Sequence, residues 1–279
     1  MSQGANNDDF VHCLNLLKSD APDYYLADLL LPDDGREAIS VLHAFHVEIT
    51  NITLAIGEPM AGQVRLQWWA EVLGGQRNDE ASGHPVARAL MQVINRYELP
   101  ITGFDAKLEA HIFDLYQDPM GTRTDFEAYC GETRSCLFQW AALILGAGAS
   151  AELANASGHS GVATGIVSLL ENIGQTHNDG QIYVPSDLLT AVGMTREQYL
   201  ASPSTKHEDV IQGLIDLARE HHAKAKQALE SVEVEARSAF KPLALVPLYL
   251  NRVERAGLDV YQSRSEISQL RRQWALWRF

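Results

Sequence analysis

Between Arg36 and Ile56 the apolar residues Ile39, Leu42, Phe45, Ile49, Ile52 and Ile56 recur at intervals of three and four. That spacing lays them along one face of an α-helix and does not fit a strand, whose faces alternate every second residue. A stripe of this length has to be covered by other helices. The remaining sequence supplies them. Pro22 sits at the first turn of a helix over Tyr24 to Leu30 that Pro32 closes, Pro59 opens one that Gly74 and Gly75 terminate, and His84-Pro85 starts another ending near Tyr97. Asp8 or Asp9 is expected to cap a short helix carrying Phe10, Leu14 and Leu17, and Thr102 to cap one running to Asp118. Thr124 and Glu127 have the spacing of a capping box for a long apolar helix to Leu145. From Ala151 a segment rich in Ala, Gly and Ser runs into a helix ending at Gly174, its small side chains admitting close neighbours. Short helical turns at 186–192 and 195–200 precede two long helices, 208–231 and 236–256, the second kinked by Pro242 and Pro247. Nothing alternates with period two for long enough to make a sheet. The expectation is one all-α domain over 1–279, with a polar N-terminal tail to about residue 8 and a basic amphipathic segment from about residue 264.

Composition narrows the function. With 46% hydrophobic residues among 279, the chain can bury a large core. No apolar run approaches the length of a membrane span, and the acidic start MSQGANNDDF lacks the features of a signal peptide, so a cytoplasmic protein is expected. Cys13, Cys130 and Cys136 are an odd count without metal-ligand spacing, which fits reduced thiols. A net charge of −14 argues against nucleic acid and is awkward for gathering diphosphates.

Three segments stand out: RLQWWAEVL (Arg65 to Leu73), GQIYVPSDLL (Gly180 to Leu189) and RRQWALWR (Arg271 to Arg278). Through them the chain, from about Tyr24 to Arg278, resembles the squalene/phytoene synthase family. The resemblance implies a helical bundle of the isoprenoid-synthase type. Enzymes of that family join two prenyl diphosphates head to head, using Mg²⁺ held by two aspartate-rich helical motifs. The first motif, approximately AFCRxxDDxxD, laid on AFHVEITNITL puts its arginine on Val47 and its aspartates on Thr50, Asn51 and Leu54. The second, roughly NILRDVxED, puts its leading asparagine on Ser168, its arginine on Glu171 and its aspartates on Asn172 and Thr176, with Gln175 at the acidic position between them. Residues four apart share a helix face, so carboxylates at 50, 54, 172 and 176 would face each other across a bundle and hold a hard cation. None is a carboxylate. The resemblance therefore implies a kept scaffold without catalytic residues or cofactor. The alternative is an active prenyltransferase of isoprenoid biosynthesis, which would need Mg²⁺.

Within the family, this degeneration resembles the branch of complex I assembly factors, implying as partners either subunits of respiratory complex I or an isoprenoid or other lipid. His43, Val47, Arg65, Trp68, Ser168 and Tyr183 are the expected pocket or partner contacts. Glu48 lies about 200° around the helix from Thr50 and points away from the motif face. Glu171, His177 and Asp179 read as a polar loop rather than a weak cation site, and Trp68 with Trp69 as core rather than a prenyl-binding wall. His221-His222 reads as a solvated face. The C-terminal stretch repeats Leu270, Trp274 and Trp277 among Arg264, Arg271, Arg272 and Arg278. Two readings stand for it: weak peripheral contact with a partner or with a membrane, at the inner face of the cytoplasmic membrane, or a last helix packing its tryptophans on the domain.

Overall fold

The computed structural model describes residues 2–55, 58–263 and 266–279, and side chains throughout these except at 2–7, 54 and 55. The predicted Ile56 of the stripe and Arg264 of the tail lie outside the described residues, as does the side chain of Leu54. In chain order the helices are α1 (Ser2–Asp20), α2 (Pro22–Asp28), α3 (Asp33–Ala55), α4 (Pro59–Leu73), α5 (Asn78–Gly83), α6 (Pro85–Tyr97), α7 (Ile101–Ala110), α8 (Arg123–Cys130), α9 (Cys136–Ile144), α10 (Ala151–Asn178), α11 (Ser186–Ala191), α12 (Arg196–Tyr199), α13 (Thr205–Leu229), α14 (Val246–Ala256) and α15 (Gln269–Trp277). There is no strand among the described residues. The chain divides into two compact units, the first comprising Met1–Tyr116, Cys136–Ala149 and Glu233–Ala239, the second Gln117–Ser135, Ser150–Val232 and Phe240–Phe279.

In the first unit α3 is the spine. Its stripe is buried at Ile39, Leu42, Phe45, Ile49 and Ile52, covered by α1, α6 and α9. Phe45 meets Trp69 edge-on at 5.1 Å and Phe104 at 5.7 Å, and Phe104 stacks on Trp140 at 3.9 Å. Burying each such ring contributes roughly 1.5–3 kcal/mol. Trp69 is thus core, whereas Trp68 is half-buried and donates its indole N–H to Glu80 at 2.8 Å.

In the second unit α10 packs along α13, burying Ile166, Leu170 and Ile173 on one and Val210, Leu214 and Ile215 on the other. The small residues of α10 do admit close neighbours. A Cβ on Gly161 would fall 2.0 Å from Ser135 Oγ, and one on Gly174 2.6 Å from the Tyr261 carbonyl oxygen. All three cysteines are buried and none is in a disulfide, and burial pushes the Cys13 and Cys130 thiols up to about 12, which makes them poor nucleophiles.

Several boundaries differ from expectation. Helix α1 starts well before Asp8, and Asp9 caps nothing: it is buried and accepts from Arg88 Nε at 2.7 Å, tying α1 to α6. Helix α7 begins behind Pro100 rather than at a Thr102 cap and ends at Ala110, well short of Asp118. The capping box is Thr122 with Asp125, not Thr124 with Glu127. Asp125 Oδ2 accepts from the Thr122 N–H at 2.7 Å, satisfying a donor that the later pair would have left open. The long apolar helix is broken by a π-helical turn over Gly131–Ser135, where Ser135 Oγ donates to the Cys130 carbonyl five residues back. Pro242 lies in a 3₁₀ segment, Val234–Leu245, and Pro247 starts α14 instead of kinking it, since a first-turn residue needs no N–H partner.

Candidate functional site

The predicted motif residues fall into two groups, one in each unit. In the first unit they lie on α3. Thr50, half-buried, donates Oγ1 to the His46 carbonyl at 2.9 Å, and Asn51 donates Nδ2 to Asp20 Oδ2 at 2.9 Å. Val47 is buried. His43, also buried, donates Nδ1 to Asp28 Oδ1 at 2.9 Å, while Ser40 Oγ donates to Asp28 Oδ2 at 3.0 Å and Tyr24 stacks on the imidazole at 4.2 Å. An expected pocket contact is therefore bonded through Nδ1 to a buried carboxylate.

Against His46, one turn before Thr50, lies a buried lysine of α7 that sequence reasoning missed. Lys107, with no exposed surface, donates Nζ to His46 Nδ1 at 3.1 Å and to His111 Nε2 at 3.3 Å. With Lys107 protonated, the ammonium has donors only, and both ring nitrogens present lone pairs. His111 then carries its proton on Nδ1, which donates to Asp114 Oδ2 at 2.6 Å. The His111 ring thus stands between the Lys107 amine and the Asp114 carboxyl group. The only trace in the sequence is the spacing of Lys107, His111 and Asp114, which reads as any polar helix face.

In the second unit the motif positions lie on α10. Asn172 donates Nδ2 to the Ser168 carbonyl at 2.8 Å, and Thr176 Oγ1 to the Asn172 carbonyl at 3.2 Å. Ser168 Oγ accepts from Arg134 at 2.8 Å, Gln175 is exposed, and Glu171 is ion-paired with Arg252. His177 donates Nε2 to the Tyr199 carbonyl at 2.8 Å, so it is committed to the loop and not to a cation site with Glu171. Tyr183 is half-buried, 6.1 Å from the Tyr129 ring. A cleft in this unit, lined by Met120, Ile182, Val184, Leu189 and Met194, includes none of the predicted site residues.

The His221-His222 reading needs correction. His221 is buried, its Nδ1 3.0 Å from His159 Nδ1 and its Nε2 3.3 Å from Glu127 Oε1. Burial, foremost, lowers the pKa of His159, His221 and His222 below the ordinary histidine value. Two adjacent polar residues in a long helix read as a solvated face, because the sequence does not show the histidine opposite on α10. Arg65 is exposed, and Trp274 and Trp277 are 59% and 73% exposed, so the tail tryptophans are not packed on the unit.

The residues present do not fit Mg²⁺. This ion takes oxygen ligands and is usually bound through one or two carboxylates. Thr50, Asn172 and Thr176 offer neutral groups that already donate back to carbonyls of their own helices. Among the described residues no group of three or more His, Cys, Asp or Glu side chains is arranged to hold a metal ion.

Known proteins share this architecture. The chain is 26% identical over 255 residues to "NADH dehydrogenase (ubiquinone) complex I, assembly factor 6" of Rattus norvegicus, covering 91% of this chain and 76% of that protein. It is 27% identical over 201 residues to the phytoene synthase of Thermus thermophilus, covering 71% and 66%. A dehydrosqualene synthase solved in complex with ligand superposes with a TM-score of 0.81 at 19% identity over 98% of this chain and 95% of that one, a likeness of fold. The family model for squalene/phytoene synthase matches residues 17–278, and on that match the chain belongs to the squalene/phytoene synthase family.

Proposed function

We propose that this chain is a non-catalytic member of its family that acts in the assembly of respiratory complex I, the NADH:quinone oxidoreductase. The observation that carries the reading is the state of Thr50, Asn172 and Thr176. Neutral and turned into their own helices, they lack the anionic oxygens that Mg²⁺-dependent ionisation of a prenyl diphosphate requires. The likeness to assembly factor 6 over 91% of the chain supports the same reading. Its partners on this account are complex I subunits or an isoprenoid or other lipid, and its place is the cytoplasmic side of the membrane that carries the complex. No helix among the described residues is long and apolar enough to cross a membrane. The test is deletion of the chain in its host, followed by native gels and NADH:quinone oxidoreductase activity. Loss of assembled complex, restored by returning the chain, supports the proposal. An intact complex together with a missing isoprenoid product would sink it and favour a prenyltransferase.

A further inference from the structure

The C-terminal helix α15 is held to the second unit by one side only. Leu276 has no exposed surface, and its carbonyl accepts from Lys241 Nζ at 3.4 Å. On the other side Leu270, Trp274 and Trp277 are 78%, 59% and 73% exposed. At about 100° per residue these three fall within about 60° of one another, whereas the covered residues Arg272, Ala275 and Leu276 lie about 120–160° from Leu270. The exposed side chains therefore form a continuous apolar stripe on a helix already seated by its opposite face. The stripe has a charged border. Arg271 and Arg278 lie about 80–100° from Leu270, on the same flank, and both are exposed. The Arg278 guanidinium sits 4.5 Å from the centre of the Trp274 ring.

We propose that this face of α15 is a docking surface for an anionic lipid bilayer. Indole rings settle at the depth of the headgroups, and flanking arginines reach the phosphates above them. Charge selects the occupant. The whole chain carries −14, yet over 266–279 Arg271, Arg272 and Arg278 stand against Glu266 as the sole acidic side chain. An acidic body with a locally basic, tryptophan-bearing edge is oriented by an anionic surface and held there weakly. The inference stands apart from the assembly reading, since vesicle binding does not require complex I.

Tryptophan fluorescence of the intact chain tests it cleanly, because Trp69 and Trp140 are each 2% exposed and Trp68 is half-buried. The water-exposed emission therefore comes mainly from Trp274 and Trp277. Vesicles of phosphatidylcholine with phosphatidylglycerol should shift this emission to the blue and sediment the protein, while phosphatidylcholine alone should do neither. R271E/R278E should weaken partitioning onto the anionic vesicles about tenfold or more, and added salt should weaken it too. W274S/W277S should abolish binding and leave the melting temperature unchanged, as both rings stand in solvent. Unchanged emission with the anionic vesicles would overturn the proposal, as would equal sedimentation of wild type and W274S/W277S. Self-association in sedimentation velocity that W274S/W277S removes, without vesicle binding by wild type, would assign the face to a second copy and overturn it as well.

Discussion

Lys107 shows how much a single residue organises. Its amine is fully buried and held by His46 and His111, with Asp114 beyond. Removing one partner of a buried hydrogen bond costs about 1–3 kcal/mol, because the other group is left unsatisfied. K107M should lower unfolding stability in urea by about that amount. K107M/D114N should be less destabilised than K107M alone, because the stranded carboxylate is gone; equal or additive losses would contradict the linkage through His111. The histidines of α10 and α13 predict a pH effect. Their folded pKa values are depressed, so below the ordinary value of 6.5 the unfolded chain binds more protons than the folded one. Stability is fully present above that value and is lost as pH falls through the depressed folded ones. H221Q should flatten the acid side of the urea midpoint plotted against pH, and a slope identical to wild type would assign the effect to other groups.

At the level of the element, α10 carries its own internal control. Gly174 faces the Tyr261 backbone at a distance no Cβ can share, whereas a Cβ on Gly158 would meet nothing within 4 Å. G174A should cost about 1–3 kcal/mol through the forced shift of backbone. G158A should be neutral or stabilising by about 0.4–1 kcal/mol, since alanine restricts the unfolded chain. Paired thermal melts check both, and equal shifts would mean that α10 is not packed as described. This contrast also marks what could be read in advance. The stripe of α3 and the small residues of α10 are periodic, so the sequence displays them. The cap at Thr122 was missed because two Thr-x-x-acid patterns overlap at 122–125 and 124–127, and only packing with Asp187, which accepts from the Arg123 N–H at 3.1 Å, favours the first. Pro247 was misread because a proline that kinks a helix and one that begins a helix look alike until the preceding 3₁₀ segment is seen.

For the whole molecule, the sequence shows that positions 50, 54, 172 and 176 carry no carboxylate and hides what surrounds them. An absent aspartate is visible at once against a family pattern. The bond from Lys107 to His46 joins residues 61 apart, and that from Arg134 to Ser168 joins residues 34 apart, so neither leaves a local signature. What these bonds reveal is that both motif stretches are internally satisfied, with Thr50 and Asn172 bonded into their own helices and Glu171 paired with Arg252. On this account the chain keeps the family's helical scaffold without its metal chemistry, and its acidic body suits a protein partner better than a pool of diphosphates. The most direct measurement incubates the purified intact chain with farnesyl or geranylgeranyl diphosphate and Mg²⁺, and follows inorganic diphosphate release and condensed hydrocarbon product. The account predicts neither above a no-enzyme control. Product that forms with the chain and disappears on adding a chelator would contradict it.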